Sequence, residues 1–272
     1  MAKPEKSLGD ILQSWTDFHD PKVWPLPTNR HLEGLSKYEF STWSQNGEDG
    51  ILRHLITDPE IPREFVEIGF HATECNCIRL ALRHGFSGTF FDADSEKCGV
   101  TSAALEAHGI PCRAKHLFAD VENIVPAMRE SRTPERIGVL SIDIDGNDLW
   151  LMERIIESFD ADIIVVEYNA SFGPLRSVSV PYEREFDRKG TIWHGASIQA
   201  LNRVAERNSE YFLAGCDSKG INAFFLNSRH SPYFDDVPPD NAWRPHYARI
   251  KHKTQTQQEQ WLYDLHVPVE ID

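Results

Sequence analysis

One stretch, Ile137 to Trp150 (IGVLSIDIDGNDLW), limits the folds open to this chain more than any other. Ile137, Val139, Leu140, Ile142 and Ile144 form a short apolar, largely β-branched run, the mark of a buried strand. The run stops in a knot of polar groups, Asp143, Asp145, Asn147 and Asp148 around Gly146, and a helical pattern, LWLMERIIESF, follows directly. A strand that ends in acids and turns straight into a helix is the repeating unit of open α/β sheets, where ligands sit at the carboxyl ends of the strands. Three carboxylates in six residues repel one another in a low-dielectric pocket. They coexist only with a cation, a hydrogen-bond donor or a shared proton.

The same unit recurs along the chain. FVEIG (65–69), GTFFDAD (88–94), PCRAKHLFAD (111–120) and ADIIVVEYNA (161–170) read as further strands, most of them ending in Asp, Glu or Asn. Helical patterns stand between them: 44–56 with Ser44 as N-cap, a segment from Asn76 to Gly85, 95–109, VENIVPAMRE and GASIQALNRVAERN. YFLAGCDSKGINAFFLN is two apolar runs joined at Gly220, a hairpin. Alternating strands and helices closed by a hairpin predict an α/β fold with a mostly parallel sheet and an antiparallel terminal hairpin. The expected organisation is an N-terminal arm (1–40), an α/β domain (41–230) and a C-terminal extension (231–272). The 171–195 stretch between strand and helix reads as a functional loop or lid.

Charge and composition narrow the partners. A net charge of −14 argues against nucleic acid, whose phosphates need a concentrated basic surface. The single basic cluster, Arg244, His246, Arg249, Lys251, His252 and Lys253, reads as a solvated helix face. Apolar runs such as IIVV (163–166) are too short for a bilayer, and MAKPEKSLGD has no apolar signal-type core, so a soluble cytoplasmic protein without a membrane partner is expected. Five cysteines, an odd number, suggest reduced thiols. Trp15, Phe18, Trp24 and Tyr38 in the arm must pack on something: the active site, a homodimer partner, or simply apolar surface of the domain.

Three features line up at successive strand ends. Glu67 and Gly69 end the first strand ahead of a helix, where glycine lets a ligand approach the backbone. Asp92 ends the second, 23 residues after Gly69, a spacing suited to a carboxylate that accepts from a ribose diol. Asp120 follows the third, where an adenine amino group could be read. Together they favour an adenosine-containing cofactor. On SQNGEDGIL, FVEIG, ECN, FDAD, SIDIDGND, VVEYNASFG, HGAS and GCDSKGINAFF, the chain over about residues 41–228 resembles the class I S-adenosylmethionine-dependent methyltransferases, and more narrowly their FkbM-type group. The resemblance implies a Rossmann-like methyltransferase fold with a seven-stranded sheet, a cofactor contacted by Glu67, Gly69 and Asp92, and Asp143 facing the transferred group. One departure stands out. The family's glycine-rich turn is reduced here to Gly69, and His71 and Thr73 occupy positions of small residues, which places His71 against the cofactor's amino-acid end.

The acids suggest how such a site would work. Asp143 and Asp145 are expected on one side of their strand and Glu167 and Asn169 on one side of theirs, a hard oxygen site for Mg²⁺, Ca²⁺ or Mn²⁺. Adding His71 would turn the choice toward Fe²⁺ or Zn²⁺. The alternative is structural: Asp148 caps its helix and Asp145 binds the Gly146 or Asn147 amide. His194 is the leading general-base candidate, with Tyr168 and Ser197 behind it. The reading is an O-methyltransferase acting on a small hydroxylated metabolite or sugar, with Asp143, Asp145 and His194 catalytic and a divalent metal at Asp143, Asp145 and Glu167. The competing reading is a metal-dependent enzyme on the same fold that no longer transfers methyl groups.

Overall fold

The structure is a computed structural model that describes residues 7–16, 34–188, 190–207 and 210–272. Helix α1 (Leu8–Thr16) leads to α2 (Glu48–Leu55), after which strands and helices alternate: β1 (Glu64–Ile68), α3 (Ile78–His84), β2 (Ser87–Asp92), α4 (Ser95–Ala107), β3 (Cys112–His116), α5 (Ile124–Glu130), β4 (Arg136–Ile142), α6 (Asp148–Ile156) and β5 (Asp160–Glu167). Then follow β6 (Val178–Ser179), α7 (Ile198–Arg207), the hairpin β7 (Tyr211–Cys216) and β8 (Asn222–Asn227), α8 (Pro239–Ala242), α9 (Gln255–Leu265) and β9 (Val269–Glu270).

Seven strands form one sheet in the order β3-β2-β1-β4-β5-β8-β7. All neighbours from β3 to β5 pair parallel, and β8 inserts antiparallel between β5 and β7. This is the Rossmann-like methyltransferase fold with its antiparallel terminal hairpin. Side-chain alternation divides each central strand between two cores: Ile164 and Val166 of β5 pack on one face, Ile163 and Val165 on the other. Helices such as α2 and α3, of eight and seven residues, are too short to persist alone. They are held by packing, at about 1.5–3 kcal/mol for each large apolar side chain fully buried.

Register sets the site. Ile68 pairs with both Phe91 and Ile142, and Ile142 pairs with Val166. The next residue on each strand, Gly69, Asp92, Asp143 and Glu167, therefore falls in one row across the carboxyl end of the sheet.

Several boundaries differ from expectation. Ser44 is not the residue that precedes α2, although its hydroxyl accepts from the first-turn amide of Asp49 at 3.0 Å. Gly47, at φ 103°, precedes the helix, while Asp49 reaches back to accept from the amides of Thr42 (2.6 Å), Trp43 (2.7 Å) and Ser44 (3.1 Å). The 171–195 stretch is not structureless: β6 pairs antiparallel with β9, tying the C-terminal extension into the domain. Of the arm's aromatics, Phe18 and Trp24 lie outside the described residues. Trp15 is buried and donates from Nε1 to the Ala72 carbonyl at 3.0 Å, in the turn after β1, and Tyr38 stacks on His54. Among the described residues no helix is long and apolar enough to cross a membrane.

Candidate functional site

The β1–β2 flank is fully wired. Gly69 takes φ 77°, and a Cβ there would collide with the Asp143 carbonyl, so this glycine serves the approach of two chain segments. The next amide, Phe70 N, donates to Asp92 Oδ2 at 3.1 Å. Lys97 Nζ donates to the same oxygen at 2.7 Å and to the Phe70 carbonyl at 2.8 Å, while Asp92 Oδ1 accepts from Asp94 N at 2.8 Å. Glu67 is buried and accepts from the amides of Asn76 and Cys77, both at 2.8 Å, just before α3 begins. Burial pushes its pKa up to about 7, against the pull of those amides.

A cavity of about 360 Å³ opens over this flank, within the size range of small-molecule sites. Gln45, Glu48, Asp92, Phe118, Asp143 and Phe186 are among its walls, with His71 at one side. Phe186 reaches in over Gly146, where any Cβ would strike its ring. Asp120, expected to read an adenine, is not in this wall. Its Oδ1 accepts from the amides of Glu122 and Asn123 (2.8 Å each), and its Oδ2 pairs with Arg184 Nε at 2.9 Å. The backbone at Leu117, Phe118 and Ala119 lines the cavity in its place.

The β4–β5 flank is different. β4 ends at Ile142, so the expected strand alternation of Asp143 and Asp145 does not extend to them. Asp145 adopts a left-handed backbone (φ 58°), unusual outside glycine, and its carboxylate pairs with Arg188. Asp148 takes the structural role: buried at the start of α6, it accepts from the amides of Ile144 and Gly146, both at 2.8 Å. Glu167 Oε2 is buried with no hydrogen-bond partner among the described residues. Two sets of ligand atoms lie within 4.8 Å of one another, Asp143–Asp148–Glu167 and Asp145–Glu167–His194, sharing Glu167. His71 belongs to neither set, so the iron or zinc variant that used it finds no cluster among the described residues.

These acids raise one another's pKa. Asp143 is held well above the carboxylate range by desolvation and then by Asp148 and Asp145. Since Asp143 also opens to the cavity, repulsion is the cause on which its upward direction rests. Glu167 rises through burial and then Asp143, Asp148 and Asp145, opposed by Arg249. Burial lifts Asp148 to about 6.

His194 is buried (1% exposed), with Nδ1 3.6 Å from Glu167 Oε2 and Nε2 2.7 Å from Arg249 Nη2. Its pKa lies well below the usual histidine value because of burial and then the Arg249 charge. A guanidinium only donates, so Arg249 occupies the lone pair on Nε2, and the free base expected at His194 is not there. Arg249 also donates to Asn169 Oδ1 (2.8 Å) and Ser171 Oγ (3.1 Å). Asn169 Nδ2 in turn holds the carbonyls of Ile192 and His194. Tyr168 and Ser197 are engaged with backbone groups. Arg249, read from the sequence as part of a solvated helix face, was therefore missed, as were Lys97 and Arg188. The signal was present: Arg249 belongs to the one basic cluster of a chain at −14.

No protein-family model and no curated protein matches the sequence. Solved structures do show likeness. TomG, an O-methyltransferase from Streptomyces achromogenes involved in tomaymycin synthesis and solved with SAM, is 16% identical, with 83% of this chain and 90% of TomG covered at a TM-score of 0.43. The N-terminal domain of EvdMO1, solved in the presence of SAH and D-fucose, is 15% identical, with 60% and 75% covered at 0.40. An O-methyltransferase from Bacillus cereus in complex with SAH is 15% identical, with 60% and 72% covered at 0.38. Likeness this distant carries neither substrate nor chemistry across.

Proposed function

We propose that this chain is an S-adenosylmethionine-dependent O-methyltransferase that acts on a small hydroxylated metabolite or sugar, with a divalent cation held at the β4–β5 acids. The observation that carries the reading is the row of strand ends. A cavity over Gly69 and Asp92 adjoins, through Asp143, an acid cluster whose Glu167 Oε2 has no partner among the described residues. When bound, S-adenosylmethionine supplies an electrophilic methyl group, and a divalent cation lowers the pKa of the acceptor hydroxyl.

The residues have distinct tasks under this reading. Asp92, at the end of β2, would accept from the ribose hydroxyls as Lys97 turns aside. Asp143 opens to the cavity and would face the acceptor. Asp143, Asp148 and Glu167 would hold the cation, with Asp145 beside them once Arg188 lets go. The spacing fits: oxygens on opposite sides of a cation are about 4.2 Å apart for Mg²⁺ and about 5 Å for Ca²⁺, against a spread of up to 4.8 Å here. Like-charged groups crowded without a neutralising partner give the cation its driving force. Arg249 stands against His194 as a ligand, because a ligating Nδ1 would place the ring proton on Nε2, facing the guanidinium.

Calorimetric titration with S-adenosylhomocysteine, with and without Mg²⁺, tests the reading. Micromolar or tighter binding that weakens in Asp92→Ala is expected; no binding by the wild-type protein overturns it. A second reading, a metal-dependent enzyme without methyl transfer, is favoured by one observation: the Asp92 carboxylate already holds Lys97 and two backbone amides. Cation binding without cofactor binding would select it.

A further inference from the structure

The C-terminal extension contributes a side chain to the acid cluster. Arg249, in the 3₁₀ turn Arg249–Lys251, extends one guanidinium nitrogen to Asn169 and Ser171 and the other to His194 Nε2 at 2.7 Å. The extension is fastened at the same place: Gln258 Oε1 accepts from Ser171 Oγ at 2.7 Å, and Gln255 Nε2 donates to the Ala170 carbonyl at 3.0 Å.

Proton bookkeeping then fixes the ring. The guanidinium has donors and no acceptor. A nitrogen that receives a hydrogen bond from it must carry a lone pair, so Nε2 of His194 is unprotonated and the single ring proton of the neutral imidazole is on Nδ1. Nδ1 is buried without a hydrogen-bond partner among the described residues, and so is Glu167 Oε2, 3.6 Å away. That separation is longer than a hydrogen bond; a small turn of the Glu167 side chain closes it. Two buried orphans of opposite kind, one donor and one acceptor, point to a contact completed when the site is engaged.

We propose that Arg249 is a positioning residue: it holds His194 as the Nδ1–H tautomer, so that His194 orients the Glu167 carboxylate by donating to it and serves as neither base nor metal ligand. This deepens the site reading above, because Glu167 is one of its cation ligands. It also makes residues 231–272 part of the active site.

The test is the tautomer of His194 in the metal-free, cofactor-free protein, read from long-range ¹H–¹⁵N correlations of the imidazole rings in ¹⁵N-histidine-labelled full-length chain. The resonance is assigned by its loss in His194→Gln or, if that variant does not fold, in His194→Asn. Expected is a neutral ring protonated at Nδ1 in the wild type, a shift toward the Nε2–H form in Arg249→Met, and return of the wild-type pattern in Arg249→Lys, which restores a donor. A wild-type ring protonated at Nε2, or at both nitrogens, overturns the proposal, as does an unchanged tautomer in Arg249→Met. The spectrum needs no S-adenosylmethionine or cation, so failure of methyl transfer would leave it untouched.

Discussion

The acids on the two flanks of the sheet's carboxyl end share a row but differ in company. On the β1–β2 side, Glu67 and Asp92 spend their oxygens on backbone amides and Lys97. On the β4–β5 side, Asp143 and Glu167 are raised by desolvation and then by other acids, and Glu167 keeps a buried oxygen without a partner among the described residues. A satisfied carboxylate shapes the loop around it, whereas an unsatisfied one costs stability until something arrives. Burial alone does not mark a ligand site, since Glu67 is buried as well. An oxygen without a partner inside a cluster of acids does, as at Glu167.

Substitutions on the two flanks should act in opposite directions. Asp143→Asn removes a ligand and also a repelling charge. The thermal shift produced by Mn²⁺, about 5–10 °C at a hundredfold excess over Kd, should vanish while the metal-free protein melts higher than wild type. A lower melting point in the metal-free variant would mean that Asp143 is satisfied after all. Asp92→Ala should instead destabilise the protein by releasing Lys97 and the Phe70 amide, and should weaken S-adenosylhomocysteine binding about ten- to a hundredfold, as expected for a lost charged hydrogen bond. Gly69→Ala should lower stability by about 1–3 kcal/mol, read by urea melts, because the new methyl meets the Asp143 carbonyl.

The pH dependence involves acids outside the proposed site as well. Asp148, Glu67 and Asp217, the last buried in the β7–β8 turn, have pKa values raised to about 6, 7 and 8, each first by burial. The folded chain thus binds their protons more tightly than the unfolded chain. Their contribution is full below about pH 4 and is lost as pH rises through 6 to 8. Melting temperature should fall between pH 5 and pH 8 without divalent cations, and added Mn²⁺ at pH 8 should recover only the share due to the Asp148 cluster. Full recovery would show that Glu67 and Asp217 belong to it too.

The sheet was legible because each strand is a compact apolar run with its own turn chemistry. The acids at the strand ends were legible for the same reason: their positions follow from where the runs stop. What could not be read was which acids are already partnered. Lys97 is near Asp92 in sequence, but Arg188 is 43 residues from Asp145 and Arg249 is 80 from Asn169. No local pattern links such pairs. The basic cluster around Arg249 has the composition of a solvated helix face, and only the pairing of β6 with β9 and the packing of α9 bring it inward. Ser44 stands further from the helix than a cap would, yet its hydroxyl still accepts from the Asp49 amide while Asp49 accepts from the Ser44 amide, a reciprocal pair that local spacing only half reveals.

Anomalous diffraction from crystals grown with Mn²⁺ tests the contrast between the flanks most directly. A manganese peak is expected among the carboxylates of Asp143, Asp148 and Glu167, with none at Glu67 or Asp92. Absence of a peak at the β4–β5 acids, or a peak on the β1–β2 flank, would contradict it.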